Sequence, residues 1–192
     1  MPGAGSKRAR WLVAAGASTA ADEKARVPLA GDPGKLLDNM LAAVGMARAT
    51  DVYVTNLIKC RPMTASGAER APTADEAAAC RPYLERELVL SGAGTVLTLG
   101  QIAANTLLGR GLVEPLAGAR GAVHALGIVA PQADGDADPQ PHRDLRLVAT
   151  LHPGELLRRG ADKALAWADL CRAKRNDRAG APDGGASGGG PA

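Results

Sequence analysis

Two polar side chains, Asn56 and His152, stand where apolar, strand-like stretches of the chain end, and their chemistry suits a nucleic-acid base. Asn56 ends the stretch 51–56, and His152 follows the stretch 145–151. An Asn amide carries both donors and an acceptor, so it can pair with the hydrogen-bonding edge of a pyrimidine. A histidine can stabilise negative charge that develops on a carbonyl oxygen. The two residues therefore predict a site that holds a base and stabilises a leaving anion.

Basic residues follow each of these strand ends. They are Lys59, Arg61, Arg158 and Arg159. Such side chains suit a phosphate backbone. The formal net charge of the whole chain is only +3, so no strong bulk field draws it to nucleic acid. Binding to DNA must therefore come from a local basic face, which these four residues are predicted to form.

The order of the predicted elements would bring the two strand ends together. Strands are predicted at 10–15, 51–56, 95–99 and 145–151, and helices at 33–43, 73–90, 101–108 and 162–175. This alternation predicts a three-layer α/β/α sandwich around a four-stranded, mostly parallel sheet. Since the carboxyl ends of parallel strands share one edge, Asn56 and His152 should meet there. Thr73 and Glu76 are predicted to start their helix with a capping box.

The composition indicates one globular domain. The chain has 192 residues, of which 46% are hydrophobic, which is enough for a sizeable core. We place the domain at 10–175, after a flexible leader at 1–9, with a disordered insertion at 130–142 and a disordered tail at 176–192. No apolar stretch approaches the roughly 20 residues of a membrane helix, and no signal-peptide pattern is visible. Three cysteines, an odd number, favour a reducing compartment, so we expect a cytoplasmic monomer.

Several motifs, in this order and spacing, give the chain a family resemblance. They are Gly31-Asp32-Pro33-Gly34-Lys35-Leu36-Leu37-Asp38-Asn39-Met40-Leu41, Val54-Thr55-Asn56-Leu57-Ile58-Lys59-Cys60-Arg61-Pro62, Cys80-Arg81-Pro82-Tyr83-Leu84, Val96-Leu97-Thr98-Leu99-Gly100, Leu151-His152-Pro153-Gly154 and Ala166-Trp167-Ala168-Asp169-Leu170. With them the chain resembles the uracil-DNA glycosylase superfamily, and most closely its family 4, the iron–sulfur branch. The resemblance runs from about Trp11 to Cys171.

The resemblance implies a hydrolase of base-excision DNA repair that cleaves the N-glycosidic bond of deoxyuridine. The uracil would be flipped out of the DNA, with Asn56 on its edge and His152 facing its O2 atom. The segment 154–159 resembles the loop that enters the minor groove, where Leu156 or Leu157 could wedge the base stack. The alternative for both leucines is a place in the core of a helix.

The first motif departs from the family pattern. The family carries Gly-Glu-Ala/Gly-Pro-Gly after its first strand, and its acidic position falls here on Gly16 or, one residue on, Ala17. Asp22 and Glu23 lie further along the loop, where we expect solvated charges, although either could substitute for the missing acid. The family also stacks uracil on a Phe, where this chain has Leu29. Losing that stack is worth roughly 1–3 kcal/mol per base.

The cysteines also match the family only in part. A 4Fe–4S cluster needs four thiolates. Cys60 and Cys80 match two of the family's ligands, the N-terminal pair is absent, and Cys171 matches none. We therefore predict that the protein holds no cluster and no other metal, and that Cys60 and Cys80 are buried small hydrophobes.

Two functions from different classes stay open on these grounds. One is a uracil-DNA glycosylase whose activity on uracil-containing DNA is reduced or lost. The other is a catalytically inactive DNA-binding or regulatory protein of the same fold. An unrelated α/β domain with accidental motif matches is the third alternative.

Overall fold

The computed structural model describes residues 1–128 and 143–179. The predicted insertion at 130–142 and residues 180–192 of the predicted tail lie outside these ranges. The strands are β1 (Ala4–Gly5), β2 (Trp11–Ala17), β3 (Val52–Ile58), β4 (Thr95–Leu99), β5 (His124–Ile128) and β6 (Arg143–Thr150). The helices are α1 (Ala20–Ala25), α2 (Gly31–Ala43), α3 (Ala74–Ser91), α4 (Gln101–Leu107), α5 (Pro153–Arg158) and α6 (Lys163–Ala179), with single 3-10 turns at Leu116–Gly118 and Gly160–Asp162.

The strands form one six-stranded sheet in the order β1-β3-β2-β4-β6-β5. The four central strands are parallel to one another, while β1 and β5 pair antiparallel at the two edges. The predicted α/β class is confirmed. The predicted number of strands is too small, because β1 is not predicted and the sequence indicates only a small hairpin around Val123 and Ile128, where β5 lies.

Backbone hydrogen bonds hold the start of the chain against the sheet. Ala4 and Gly5 pair with Val54 and Tyr53 of β3, and the amide of Ser6 donates to the carbonyl of Val52 at 3.0 Å. Since these bonds use only main-chain atoms, they need no apolar alternation in the sequence. The segment predicted to be a flexible leader therefore forms an edge strand.

Helices cover the two faces of the sheet, as the alternating elements predict. On one face α3 and α4 pack on the strands through residues such as Leu84, Leu88 and Ala104. On the other face α2 and α6 do so through Leu37, Leu41 and Leu170. With no Phe in the chain, both layers are built mainly from Ala, Leu and Val, and Trp11 is the large ring that is fully buried.

Two capping boxes start helices, one predicted and one not. Thr73 and Glu76 cap each other's backbone at the start of α3, as predicted. Thr19 and Asp22 do the same for the short helix α1, which the sequence interpretation treats as loop. Helix α6 runs to Ala179, four residues beyond its predicted end at Arg175. Among the described residues, no helix has both the length and the apolar character needed to span a bilayer.

Candidate active site

Asn56 and His152 approach the same edge of the sheet. Asn56 pairs in register with Ala15 of β2, and His152 follows the end of β6. A Cβ atom added to Gly100, just after β4, would lie 3.4 Å from the Cβ of His152. The parallel strands thus deliver both predicted residues to their common carboxyl edge, where α/β proteins bind ligands.

The Asn56 amide is buried and only half satisfied. Asn56 is 2% exposed, and its Nδ2 donates to Ser18 Oγ at 3.2 Å and to Asp22 Oδ2 at 3.2 Å. Its Oδ1 is buried and has no hydrogen-bond partner in the described part of the chain. An amide nitrogen carries two hydrogens, so both are used and only the oxygen is left to meet a ligand.

Asp22 is part of this site and is not a solvated loop charge. It is 2% exposed. Its Oδ1 accepts from the amide of Ala30 at 2.7 Å, and its Oδ2 accepts from the amide of Thr19 at 3.1 Å as well as from Asn56. The expectation that Asp22 is solvated is wrong, because the loop folds back over the end of β3. The neighbouring Glu23 is half exposed and lies 3.2 Å from the Arg61 guanidinium.

The loop that carries Leu29 is clamped in an unusual backbone conformation. Leu29 has φ of 52° and is 5% exposed. A left-handed conformation at a residue other than glycine costs roughly 1–2 kcal/mol. The guanidinium of Arg48 donates to the carbonyls of Pro28 at 3.1 Å and Gly34 at 3.2 Å. A Cβ at Gly34 would come within 2.0 Å of the Leu29 carbonyl oxygen, so glycine is required for this close packing.

Gly16 and Ala17, the candidate positions for the family's acid, lie at the end of β2. A Cβ added to Gly16 would sit 3.3 Å from the Cβ of Ile102 in α4. Ala17 pairs with Ile58 and packs against the apolar layer formed with α3 and α4. A longer side chain at Gly16 would start toward α4, whereas the Asn56 amide faces Ser18 and Asp22.

His152 is held as a neutral imidazole with a defined tautomer. Its Nδ1 accepts a hydrogen bond from the amide of Gly154 at 3.1 Å, so the ring proton is placed on Nε2. Burial lowers the pKa of His152 below its usual value, although the carboxylates of Glu155 and Asp22 oppose this shift; the Arg158 cation reinforces it. The ring therefore offers a neutral Nε2–H donor at the edge of the sheet.

The two leucines of α5 have different environments. Leu156 is 2% exposed, and it packs where α2, α5 and α6 meet. Leu157 is 49% exposed. Leu156 is thus a core residue with no free surface for a base stack, which corrects its predicted place among the DNA contacts, and Leu157 becomes the wedge candidate. Arg158 and Arg159 are exposed beside it.

Lys59 and Arg61 are engaged in ion pairs. The Lys59 side chain is 18% exposed, and its ammonium group lies 2.5 Å from Glu87 Oε2. Arg61 lies 3.2 Å from Glu23 and 3.2 Å from Glu69. Both cations are already partly neutralised by the protein itself, so a phosphate contact from either would have to compete with its carboxylate.

The cysteines do not fit an iron–sulfur cluster. Cys60, Cys80 and Cys171 are free thiols; Cys60 is exposed and Cys80 is partly buried, so the prediction of a buried side chain is wrong for Cys60. Within residues 1–128 and 143–179, no group of three or more Cys, His, Asp or Glu side chains could hold a metal ion. The amino-terminal segment lies beside Cys60, since the Met1 amino group donates to the Lys59 carbonyl at 2.5 Å, but it carries no cysteine. The three cysteines, of which only Cys60 and Cys80 match the family's ligand positions, are fewer than the four thiolates that the cluster needs.

Comparison with known proteins identifies the family of the chain. A model of the uracil DNA glycosylase superfamily matches residues 2–171. The chain therefore belongs to the uracil DNA glycosylase superfamily. Within it, the identification with family 4 is confirmed by relatives that are type-4 uracil-DNA glycosylases.

Three of these relatives differ in how much of their length is matched. The Pyrobaculum aerophilum protein is 30% identical over 164 residues, which are 84% of this chain and 74% of the relative. The Archaeoglobus fulgidus protein is 39% identical over 105 residues, 54% of this chain and 50% of the relative. The Sulfurisphaera tokodaii protein is 33% identical over 101 residues, 53% of this chain and 44% of the relative. The matched part thus spans about half the length of the last two relatives.

Proposed function

We propose that this protein is a uracil-DNA glycosylase of base-excision repair, which hydrolyses the N-glycosidic bond of deoxyuridine in DNA. The observation that carries the proposal is the buried Oδ1 atom of Asn56, which lacks a hydrogen-bond donor in the described structure. Leaving such an acceptor unpaired costs about 1–3 kcal/mol. A ligand that brings an N–H group to this oxygen removes that cost.

Uracil supplies the group that Asn56 requires. The N3 atom of uracil carries a hydrogen, whereas N3 of cytosine carries a lone pair and would face the Asn56 oxygen as a second acceptor. A site built to satisfy one polar group rejects analogues that lack the complementary group. Flipping places the base in this site, and Leu29 packs beside it in place of the family's aromatic ring.

His152 acts on the leaving group. As the glycosidic bond breaks, negative charge accumulates on uracil and positive charge on the sugar. The neutral ring of His152 donates from Nε2 to uracil O2, because its Nδ1 is occupied by the Gly154 amide. A preorganised donor of this kind is worth about 2.7–4 kcal/mol in the transition state.

The DNA backbone is contacted by the exposed end of α5. Leu157 fills the gap in the base stack, and Arg158 and Arg159 bind phosphates. Lys59 and Arg61 are weaker candidates for phosphate contacts, because Glu87, Glu23 and Glu69 already pair with them. Most of the salt dependence of DNA binding should therefore come from α5.

A single-turnover assay on an oligonucleotide with one deoxyuridine tests the proposal. We expect excision that is specific for uracil and slower than that of a relative with an acidic first motif and a stacking Phe. Matched oligonucleotides with deoxycytidine or thymidine in the same position are the control. Absence of any excision at enzyme excess would contradict the proposal.

The alternative is an inactive DNA-binding protein of the same fold. It is favoured by the lack of a carboxylate at Gly16 and Ala17 and by Leu29 in place of Phe. Salt-dependent binding to the deoxyuridine oligonucleotide without excision would support this alternative, since phosphate contacts weaken as salt rises.

A further inference from the structure

We propose that Asp22 is the positioning residue that sets which base this site accepts, because it holds Asn56 as a pure hydrogen-bond acceptor. The inference rests on the proposed function, since it takes Asn56 as the group that meets the base. It assigns Asp22 a role through Asn56, without contact to the reacting atoms. The sequence interpretation leaves Asp22 as a loop charge that could at most substitute for the missing acid.

The donors around Asp22 fix the direction of its contact with Asn56. Oδ1 accepts from the Ala30 amide at 2.7 Å, and Oδ2 accepts from the Thr19 amide at 3.1 Å. Backbone amides cannot reverse their polarity, so both oxygens are held as acceptors. The side chain of Asn56 must therefore turn its NH₂ group toward Asp22, as observed at 3.2 Å.

Ser18 fixes the second hydrogen of the same amide. Its hydroxyl donates to the carbonyl of Ile58 at 3.4 Å, which leaves the Oγ atom to accept from Asn56 Nδ2 at 3.2 Å. Both neighbours of the amide nitrogen are thus acceptors. Rotating the amide by half a turn would place Asn56 Oδ1 against the Asp22 carboxylate, in a buried environment where such repulsion is poorly screened.

This arrangement goes beyond what a helix cap requires. A capping box uses the contact between Asp22 and Thr19 alone. The remaining contacts join the cap to two functional parts: the end of β3 through Asn56, and the loop of Leu29 through the Ala30 amide. In the described structure Asp22 has no cationic partner within ion-pair distance, so N–H donors alone satisfy its charge.

The consequence is a selection between bases by ring nitrogen. When Asn56 presents only its Oδ1 atom, a base whose facing ring nitrogen carries a hydrogen is bound. A base whose facing ring nitrogen carries a lone pair is rejected. Uracil belongs to the first class and cytosine to the second. Without the contact to Asp22, the Asn56 amide could rotate and present its NH₂ group, which suits cytosine.

The test compares Asp22→Asn with Glu23→Gln, which removes a carboxylate charge from the next position of the same loop. The measured quantity is the ratio of single-turnover excision rates for deoxyuridine and deoxycytidine in one oligonucleotide context. Where the protein binds but does not excise, dissociation constants give the same ratio. We expect Asp22→Asn to lower the ratio about tenfold or more, and Glu23→Gln to leave the ratio unchanged even if it alters the overall affinity.

A purely structural role for Asp22 predicts a different outcome. Both rates would then fall together, or the melting temperature alone would fall, with the ratio unchanged; this result would overturn the proposal. Should Asp22→Asn fail to fold, Ser18→Ala removes the other acceptor and leaves the capping box intact. We expect Ser18→Ala to lower the ratio about threefold, and an unchanged ratio in this variant would also count against the proposal.

A readout without DNA separates this inference from the proposed function. The side-chain amide of Asn56, assigned by its loss in Asn56→Asp, should exchange its hydrogens slowly in the parent protein and in Glu23→Gln. Exchange should be faster in Asp22→Ala. Slow exchange in a parent protein that neither binds nor excises uracil would reject the proposed function but support the orientation of the Asn56 amide by Asp22. Fast exchange in a parent protein that excises uracil would reject the fixed orientation of the Asn56 amide but leave the proposed function intact.

Discussion

Two carboxylates, Asp22 and Glu87, flank the end of β3 on opposite faces of the sheet, and their hydrogen bonding differs in one respect. Glu87 accepts from the Thr55 hydroxyl at 2.8 Å and the Lys59 ammonium at 2.5 Å. The Lys59 cation balances the Glu87 charge, and we call such a hydrogen-bond network closed. The Asp22 cluster has no cation among its hydrogen-bond donors, and it leaves Asn56 Oδ1 unpaired in the described structure. Thr55 and Asn56 are consecutive, so their side chains point to opposite faces of the strand.

The difference indicates which face binds a ligand. A closed network stabilises the fold and offers nothing to a partner. Burial and the nearby Glu87 carboxylate even raise the pKa of Tyr53, which keeps that phenol protonated. Leaving Asn56 Oδ1 unpaired costs about 1–3 kcal/mol, and a ligand that brings an N–H group to this oxygen would remove that cost. We therefore infer that the face with Asn56 is the functional face and that the face with Glu87 is the structural face.

The largest effect on activity is expected from His152→Ala on the functional face. It removes the Nε2–H donor, and we expect single-turnover uracil excision per folded molecule to fall about 10²–10³-fold, while loss of the cap on the Gly154 amide lowers the free energy of unfolding by about 1 kcal/mol. The matched control is His124→Ala, which removes another partly buried histidine, a residue whose Nε2 lies 2.8 Å from the Ala119 carbonyl. Equal losses of excision in the two variants would contradict a specific role for His152.

The opposite result is expected from Glu87→Gln on the structural face. The change leaves the ammonium group of Lys59, whose side chain is only 18% exposed, without its carboxylate. We expect the free energy of unfolding to fall by about 2 kcal/mol. Excision per folded molecule should stay as in the parent. Urea denaturation measures the stability.

The control for Glu87→Gln lies on the same helix. Glu85 pairs with Arg81 at 2.7 Å in an i,i+4 arrangement on α3. An exposed pair of this kind contributes roughly 0.3–0.5 kcal/mol, so Glu85→Gln should be nearly neutral. If Glu87→Gln abolished excision while leaving stability intact, the division between the two faces would be wrong.

The sequence predicts the central sheet well and its edges poorly. Alternating strand and helix patterns specify the parallel strands, and β4 has its predicted bounds, 95–99. Strand β1 is only two residues long and pairs through main-chain atoms, so no side-chain pattern marks it. Edge pairing is a tertiary event without a local signal in this segment.

For the candidate site, the sequence identifies the strand ends and misses the residue that folds onto them. Asn56 and His152 are predicted because each ends or follows an apolar strand. The burial of Asp22 depends on where its loop crosses β3, which no local pattern specifies, although Thr19-x-x-Asp22 is a recognisable capping signal. Leu156 and Leu157 cannot be separated by periodicity, because α5 spans only six residues.

A smaller effect on excision is expected from Gly154→Ala, which keeps the histidine but crowds it. The added Cβ would lie 3.1 Å from Nδ1 of His152, so the ring must shift by a few tenths of an ångström. Misplacement by 1 Å can cost about 10²-fold, and we expect about a tenfold loss of the single-turnover rate. Gly160→Ala is the control, because a Cβ there has no heavy atom within 4 Å. Comparable losses in both variants would attribute the effect to α5 in general.

The smallest effect, and the finest test of the functional face, is the response of His152 to pH. Burial holds its pKa in the folded protein below the usual 6.5, so between the two values the unfolded chain binds more protons than the folded one. The free energy of unfolding therefore rises with pH across this window. The contribution of His152 to the free energy of unfolding is complete above pH 6.5. It is lost as the pH falls through the lowered pKa of the folded state.

Excision should follow the same titration, because protonation of Nδ1 removes the acceptor for the Gly154 amide. We expect titration of His152 to leave the excision rate unchanged from about pH 7 to pH 8 and to lower the rate only below pH 6.5. Histidine resonances followed by NMR give the pKa directly, and His152→Gln should remove the corresponding inflection from the rate profile. An inflection above 6.5 would mean that the carboxylates of Asp22 and Glu155 outweigh burial. Below the pH of that inflection the ring would be a cation, and its charge would then stabilise the leaving uracil.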